Sequence, residues 1–184
     1  MKNPANKPNQ RKGSRSNTHV GKEFEASAMR FFESQGIHLH KDKEGIEIGV
    51  PNEKKETTVK RHRFDLIDDE KQTIVECKAH TWTEGTNVPS AKITAWNAAM
   101  YFFHLVRAKN VRKIMFVQRD LNKKTKKTLA EYYIRLHSHL IPHDVEFWEY
   151  DIDSKSGRRL IIREQKSGAF DNAPPFGDPE RIRL

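Results

Sequence analysis

Two carboxylates and one amine stand where strand alternation would bring them together. Asp65 lies among Phe64, Leu66 and Ile67, and after ten intervening residues Glu76 and Lys78 alternate with Val75, Cys77 and Ala79. Ionised groups inside apolar strands are costly unless they pair or hold a cation. Side chains alternate faces along a strand, so Glu76 and Lys78 point the same way, about 6.6 Å apart along the backbone. With Asp65 opposite Glu76, two acids converge beside one lysine. That is a site for a divalent cation.

The element that must position them is residues 59–79, which read as two β-strands joined by a tight polar turn. The first strand carries Phe64, Leu66 and Ile67, and the second Ile74, Val75 and Cys77. Between them Asp68-Asp69-Glu70-Lys71-Gln72 has the composition of a hairpin connection.

In this strand–turn–strand setting, Asp65, ten residues, then Glu76-Cys77-Lys78 resembles the core of the PD-(D/E)XK nuclease superfamily, which includes many restriction and repair endonucleases and Holliday-junction resolvases. Phe64 stands where the family's name has a proline without a chemical role. The resemblance implies a restriction-endonuclease-like fold and Mg²⁺-dependent hydrolysis of phosphodiester bonds in DNA, with Mn²⁺ substituting and RNA left open as a substrate. It implies that Asp65 and Glu76 bind the metal, that the backbone carbonyl of Cys77 adds a ligand, and that Lys78 orients the attacking water. An ammonium is a donor only, so Lys78 is no ligand itself.

A glutamate on the helix before the core sheet often helps to bind metal in that family, and Gly21-Lys22-Glu23-Phe24-Glu25 resembles that element. Glu25 is the candidate, with Glu23 a weaker substitute. The other reading of Glu25 is a helix-start glutamate favoured by the dipole. The alternative function is a non-cleaving nucleic-acid-binding or scaffolding module on the same fold. A third is a protein-interaction domain in which Glu76 and Lys78 form a structural ion pair.

Composition sets the outer bounds. The chain has 184 residues, which suits one domain with a single core, and a net charge of +9, which favours a polyanionic partner. It has no apolar run of 18 residues, so no membrane span is expected, and its polar N-terminus lacks a signal-peptide core. Cys77 is the single cysteine, which excludes an internal disulfide and suits a reducing, cytoplasmic compartment.

The expected organisation is a disordered basic arm over 1–19, a nuclease-like domain over 20–166 and an extended C-terminal tail over 167–184. The arm carries Lys2, Lys7, Arg11, Lys12 and Arg15 with no acid. It reads equally as a grip on phosphates or as an unstructured terminus. A helix over 21–35 follows, capped by Gly36, with Phe24, Ala28, Phe31 and Phe32 in one stripe. Residues 37–50 suggest one or two short strands and 51–57 a charged loop. His38, His40, His137, His139 and His143 read as surface or core residues, because a zinc site usually includes more cysteines than this chain has.

The loop 80–89 leaves the second strand directly, which places Thr81, Trp82 and Asn87 beside substrate. Trp82 stacks on a base or packs the loop, packing being commoner. Ser90 caps a helix running to 108 that is apolar nearly all round and therefore buried on several sides, either in the core or in a dimer contact. Cutting both strands of a duplex needs two active sites, so a homodimer is expected. Lys92, one turn in, meets a phosphate or solvent. A central strand follows over 113–118, then Lys123, Lys124, Lys126 and Lys127 at the start of a helix over 128–140. Lysines there run against the helix dipole and point to a phosphate contact. That helix turns Leu129, Tyr132, Tyr133, Leu136 and Leu140 inward. Edge strands over 145–150 and 159–163 flank a turn at 154–157. The order of elements gives a mixed central sheet flanked by helices, an α/β fold.

Overall fold

Residues 17–50, 58–83 and 88–162 are described in the computed structural model of this chain. The expected arm up to residue 16, the loop 51–57, Asn87 and the tail 167–184 lie outside them.

Helix α1 (Asn17–Glu33) starts four residues before the expected Gly21 and takes in the end of the supposed arm. Nothing between Asn17 and Gly21 breaks a helix, and His19 reaches Glu23 one turn on at 3.3 Å. The other end is as expected. Gly36 adopts φ +77°, its N–H bonds to the Glu33 carbonyl and that of Ile37 to the Phe32 carbonyl, both at 2.9 Å. This is a Schellman stop.

The strands are β1 (His40–Lys41), β2 (Ile46–Ile48), β3 (Lys60–His62), β4 (Leu66–Ile67), β5 (Thr73–Lys78), β6 (Arg112–Gln118), β7 (Val145–Asp151) and β8 (Ser156–Leu160). Six of them form a mixed sheet in the order β1-β4-β5-β6-β7-β8, and β2 pairs with β3 in a separate ribbon. β5, β6 and β7 run parallel; the other neighbours are antiparallel. The expected single strand before the turn is thus two pieces. They part where Asp42 Oδ2 accepts the Phe64 N–H at 3.1 Å. The polar turn itself forms as read: Asp68 Oδ1 accepts the N–H groups of Gln72 and Thr73 at 2.7 and 3.0 Å.

Strand alternation divides the core into two layers. Phe24, Ala28 and Phe32 of α1 pack on Leu66, Val75, Cys77, Ile114 and Phe116. The opposite face, with Ile67, Ile74, Met115, Val117 and Phe147, is covered by helices α2 (Ser90–Leu105) and α3 (Leu129–His137). The result is an α/β fold with a six-stranded mixed sheet and, among the described residues, three α-helices. No helix among the described residues is long and apolar enough to cross a membrane.

Several boundaries differ from expectation, each for a local reason. Pro89, not Ser90, is the N-cap of α2. That helix stops at Leu105 because the β2 segment takes over its end: the Gly49 N–H bonds to the Leu105 carbonyl and the Arg107 N–H to the Glu47 carbonyl. Its stripe of Ile93, Trp96, Ala99, Met100 and Phe103 is buried as expected, and Phe102 stacks on His62 of the ribbon with centroids 3.9 Å apart. Tyr101 faces solvent.

Helix α3 opens on a capping box between Thr128 and Glu131, so Lys123, Lys124, Lys126 and Lys127 precede it in a separate turn and do not oppose its dipole. It gives way at His137 to a 3₁₀ turn, Ser138–Leu140, which leaves Leu136 and Leu140 exposed instead of inward. The last turn falls before Ser156, because Asp151 Oδ1 gathers the N–H groups of Asp153 and Ser154 at 3.0 and 3.1 Å. β8 therefore begins three residues earlier than the expected Arg159.

Candidate functional site

The register of the hairpin decides whether the acids meet. Leu66 pairs with Val75 and Ile67 with Ile74, so the next step of this antiparallel ladder sets Asp65 opposite Glu76. β4 ends at that point. Asp65 is bent out of the strand, and its Oδ2 takes the place of a backbone carbonyl by accepting the Cys77 N–H at 2.8 Å. Lys78 completes the group: its ammonium hydrogen-bonds Glu76 Oε1 and lies 4.0 Å from Asp65 Oδ2. The side chains of Glu76, Lys78 and Asp65 keep 15%, 18% and 30% of their exposure, so the group is half sunk and opens to solvent on the Asp65 side.

Electrostatics follow from that burial. Desolvation, then the charge of Glu76, push the Asp65 carboxyl up to about 6, against the pull of Lys78 and the Cys77 N–H. Burial opposes the charge on Lys78, yet Glu76 and Asp65 outweigh it and hold its pKa above the ordinary value. Burial and the surrounding carboxylates keep Cys77 a thiol, packed as a small apolar residue on the α1 face. Its side chain takes no part in the polar group.

Glu25 comes from α1, close enough for its charge to raise both Asp65 and Cys77. Its own Oε2 is held by Lys41 at 3.0 Å. It therefore sits beside the group without being joined to it, and Lys41 is a neighbour that sequence reading missed. Among the described residues no three His, Cys, Asp or Glu side chains converge as a ready-made metal cage. The donors that fit Mg²⁺ are the two carboxylates and the Cys77 carbonyl. Mg²⁺ usually keeps several waters and takes only one or two carboxylates. Two acids that repel each other enough to raise one pKa are also what a cation would relieve.

Beyond Lys78 the chain forms a strap over the end of the sheet. The Trp82 N–H donates to Asp120 Oδ2 at 2.6 Å and its indole Nε1–H to the Asp120 carbonyl at 3.1 Å. The ring meets Tyr132 edge-on at 5.3 Å. Trp82 thus packs the strap, the commoner of its two readings. Lys92 Nζ donates to the Thr81 carbonyl at 2.9 Å, so it ties α2 to the same strap.

Lys123, Lys124, Lys126 and Lys127 are all exposed on a turn closed by buried Asn122, whose Oδ1 accepts the N–H groups of Lys124 and Thr125. This turn leaves β6 at the same end of the sheet where β5 ends at Lys78, because the two strands are parallel. Asp120 links it to Trp82. Two surface clefts lie elsewhere, one beside His40, Asp42 and Asp69, the other beside Arg61 and Arg107, and neither takes in Asp65, Glu76 or Lys78.

His38 and His40 are surface residues paired with Glu33 at 2.8 Å and Asp69 at 3.1 Å. Two histidines that sequence reading passed over stand near the group: His62, whose ring feels the charges of Asp65 and Lys78, and, just beyond Lys78, His80. The signal for His80 was present: Glu76, Lys78 and His80 are two residues apart, the spacing of one strand face. Comparison with family models, with curated proteins and with solved structures gave no match to this chain.

Proposed function

We propose that this chain is a Mg²⁺-dependent endonuclease that hydrolyses phosphodiester bonds of DNA, on a restriction-endonuclease-like variant of the α/β fold. The observation that carries this reading is the meeting of Asp65, Glu76 and Lys78 at the point where β4 peels from β5. When bound, Mg²⁺ or Mn²⁺ supplies a water of lowered pKa and neutralises charge on the phosphate. Asp65 and Glu76 would hold the cation, with Glu25 beside them on the α1 side. Lys78 would orient the attacking water as a hydrogen-bond donor and stabilise the charge that builds on the phosphoryl oxygens, with the proton of the water lost to solvent.

A site open to solvent at the end of the sheet suits a polymer. The lysine turn at the same end grips the phosphate backbone without reading bases. RNA shares that backbone and stays within the proposal. Cutting both strands of a duplex calls for a homodimer, and buried Cys77 suits the reducing cytoplasm.

One observation favours a second reading, a non-cleaving nucleic-acid-binding module. The Lys78–Glu76 bond lets those two charges satisfy each other without a cation. Incubation of supercoiled plasmid and of a branched junction with the protein separates the two. The nuclease reading expects nicking in Mg²⁺ that chelator abolishes, and the binding module expects retained complexes with intact DNA.

A further inference from the structure

His80, just beyond β5, is an ionisable side chain that the chemistry above leaves without work. Cys77 and Ala79 pack on the α1 face, whereas the His80 ring lies against Trp96 of α2, on the face that carries Glu76 and Lys78. The indole Nε1–H of fully buried Trp96 donates to His80 Nδ1 at 2.8 Å, and the two rings are nearly parallel, 10° apart. A nitrogen that accepts cannot also carry the proton, so a neutral ring must be protonated at Nε2. Burial, with Lys78 and Lys92 close by, holds the pKa down to about 4, which keeps the ring neutral at working pH. Among the described residues Nε2–H has no acceptor of its own. The fold has thus fixed a neutral donor two residues beyond Lys78 and left that donor unused.

We infer that His80 donates its Nε2–H to a non-bridging oxygen of the scissile phosphate, as a fixed neutral partner to the Lys78 charge; this rests on the nuclease reading above. A neutral donor suits the place. It stabilises charge that builds on phosphoryl oxygens without adding a third cation beside Lys78 and Lys92. It also needs no reorganisation, because Trp96 has already chosen the tautomer.

Two amide substitutions separate the two ring nitrogens. In His80→Asn the amide oxygen reaches the Nδ1 position and keeps the Trp96 bond but puts nothing at Nε2. In His80→Gln the amide N–H₂ reaches the Nε2 position. The assay is single-turnover cleavage of supercoiled plasmid in Mg²⁺ with the full chain, beside a thermal melt of each variant. The expected result is an unchanged melt and a loss of about 10²-fold for His80→Asn, with His80→Gln recovering most of it. Undiminished cleavage by His80→Asn, or equal loss in both variants, overturns the inference while leaving the nuclease reading in place. Wild-type protein that cuts nothing removes both. A separate check needs no cleavage: ¹⁵N shifts of the His80 ring in metal-free protein should show the proton on Nε2, and a proton on Nδ1 overturns the inference.

Discussion

Asp65 and Cys77 are joined by a hydrogen bond of 2.8 Å in which the carboxylate accepts a strand N–H. One side chain thereby performs two tasks, ending the β4–β5 ladder and setting a carboxylate 4.0 Å from the Lys78 ammonium. These tasks separate by mutation. Asp65→Ala leaves the Cys77 N–H without its acceptor and is expected to cost about 1–2 kcal/mol. Asp65→Asn keeps an acceptor oxygen and removes the repulsion from Glu76, so its metal-free melting point at pH 7.5 should equal or exceed the wild type's. Both variants should lose cleavage. Denaturation curves in chelator beside plasmid assays check the pair of outcomes.

The raised pKa of Asp65 makes the stability of the fold depend on pH. The folded value of about 6 lies above that of an unfolded aspartate, so the fold binds this proton more tightly than the open chain does. The stability Asp65 contributes is therefore full below the unfolded value and is lost as pH rises towards 6. Melts of metal-free protein between pH 4 and 7 should show this loss, and Asp65→Asn should flatten it.

Proton and cation compete for the same carboxylate. Mg²⁺ should raise the melting point at pH 7.5 and do so progressively less as pH falls through about 6, where Asp65 protonates. In Asp65→Asn the Mg²⁺ increment should be smaller than the wild type's at pH 7.5 and lose its dependence on pH near 6. An increment that grows on acidification would place the metal elsewhere. Thermal shift titrations with Mg²⁺ read all three outcomes.

The strap after β5 hangs on Asp120, which accepts two N–H groups of Trp82. Asp120→Ala removes the 2.6 Å acceptor and leaves a half-buried N–H unpaired, an expected loss of about 1–3 kcal/mol. Cleavage should fall too, since the strap carries His80 and Thr81 from the end of β5. Asp120→Asn, which keeps an acceptor, should retain most of both. Equilibrium unfolding and initial cleavage rates distinguish the variants.

The turn with Lys123, Lys124, Lys126 and Lys127 makes a quantitative claim on salt dependence. Each phosphate contact to duplex DNA contributes a slope of about 0.9 in log K against log salt. Replacing all four with alanine should weaken binding for every sequence alike and lower the slope by up to about 3 to 4. Because the lysines precede the Thr128 cap, the α3 helix should melt as before.

What could be read in the sequence was what is decided within a few residues. The alternation around Glu76 and Lys78, the Asp68 turn and the Gly36 stop are local, and each stands where its residue types put it. The Thr128–Glu131 capping box was equally local; its signature in the sequence is enough to place the lysines in front of the helix. Short strands in 37–50 were legible and appear as β1 and β2, but the pairing of β2 with β3 in a separate ribbon was not, because so short a strand does not specify its partner. The same holds for the end of α2, fixed by Gly49 and Arg107 backbone groups, and for Lys41 beside Glu25. The two-residue spacing from Lys78 made His80 visible, but not its protonation. Its tautomer depends on Trp96, sixteen residues away and on a different element.

Whether Asp65, Glu76 and Lys78 form a hydrolytic centre is read out by the single-turnover rate of plasmid nicking in Mg²⁺ for wild type and Lys78→Ala. The wild type should nick in a chelator-sensitive way, and the variant should lose on the order of 10²–10³-fold with DNA binding kept within a few-fold. Intact DNA with the wild type in both Mg²⁺ and Mn²⁺, or nicking that persists undiminished in Lys78→Ala, would contradict a hydrolytic centre there.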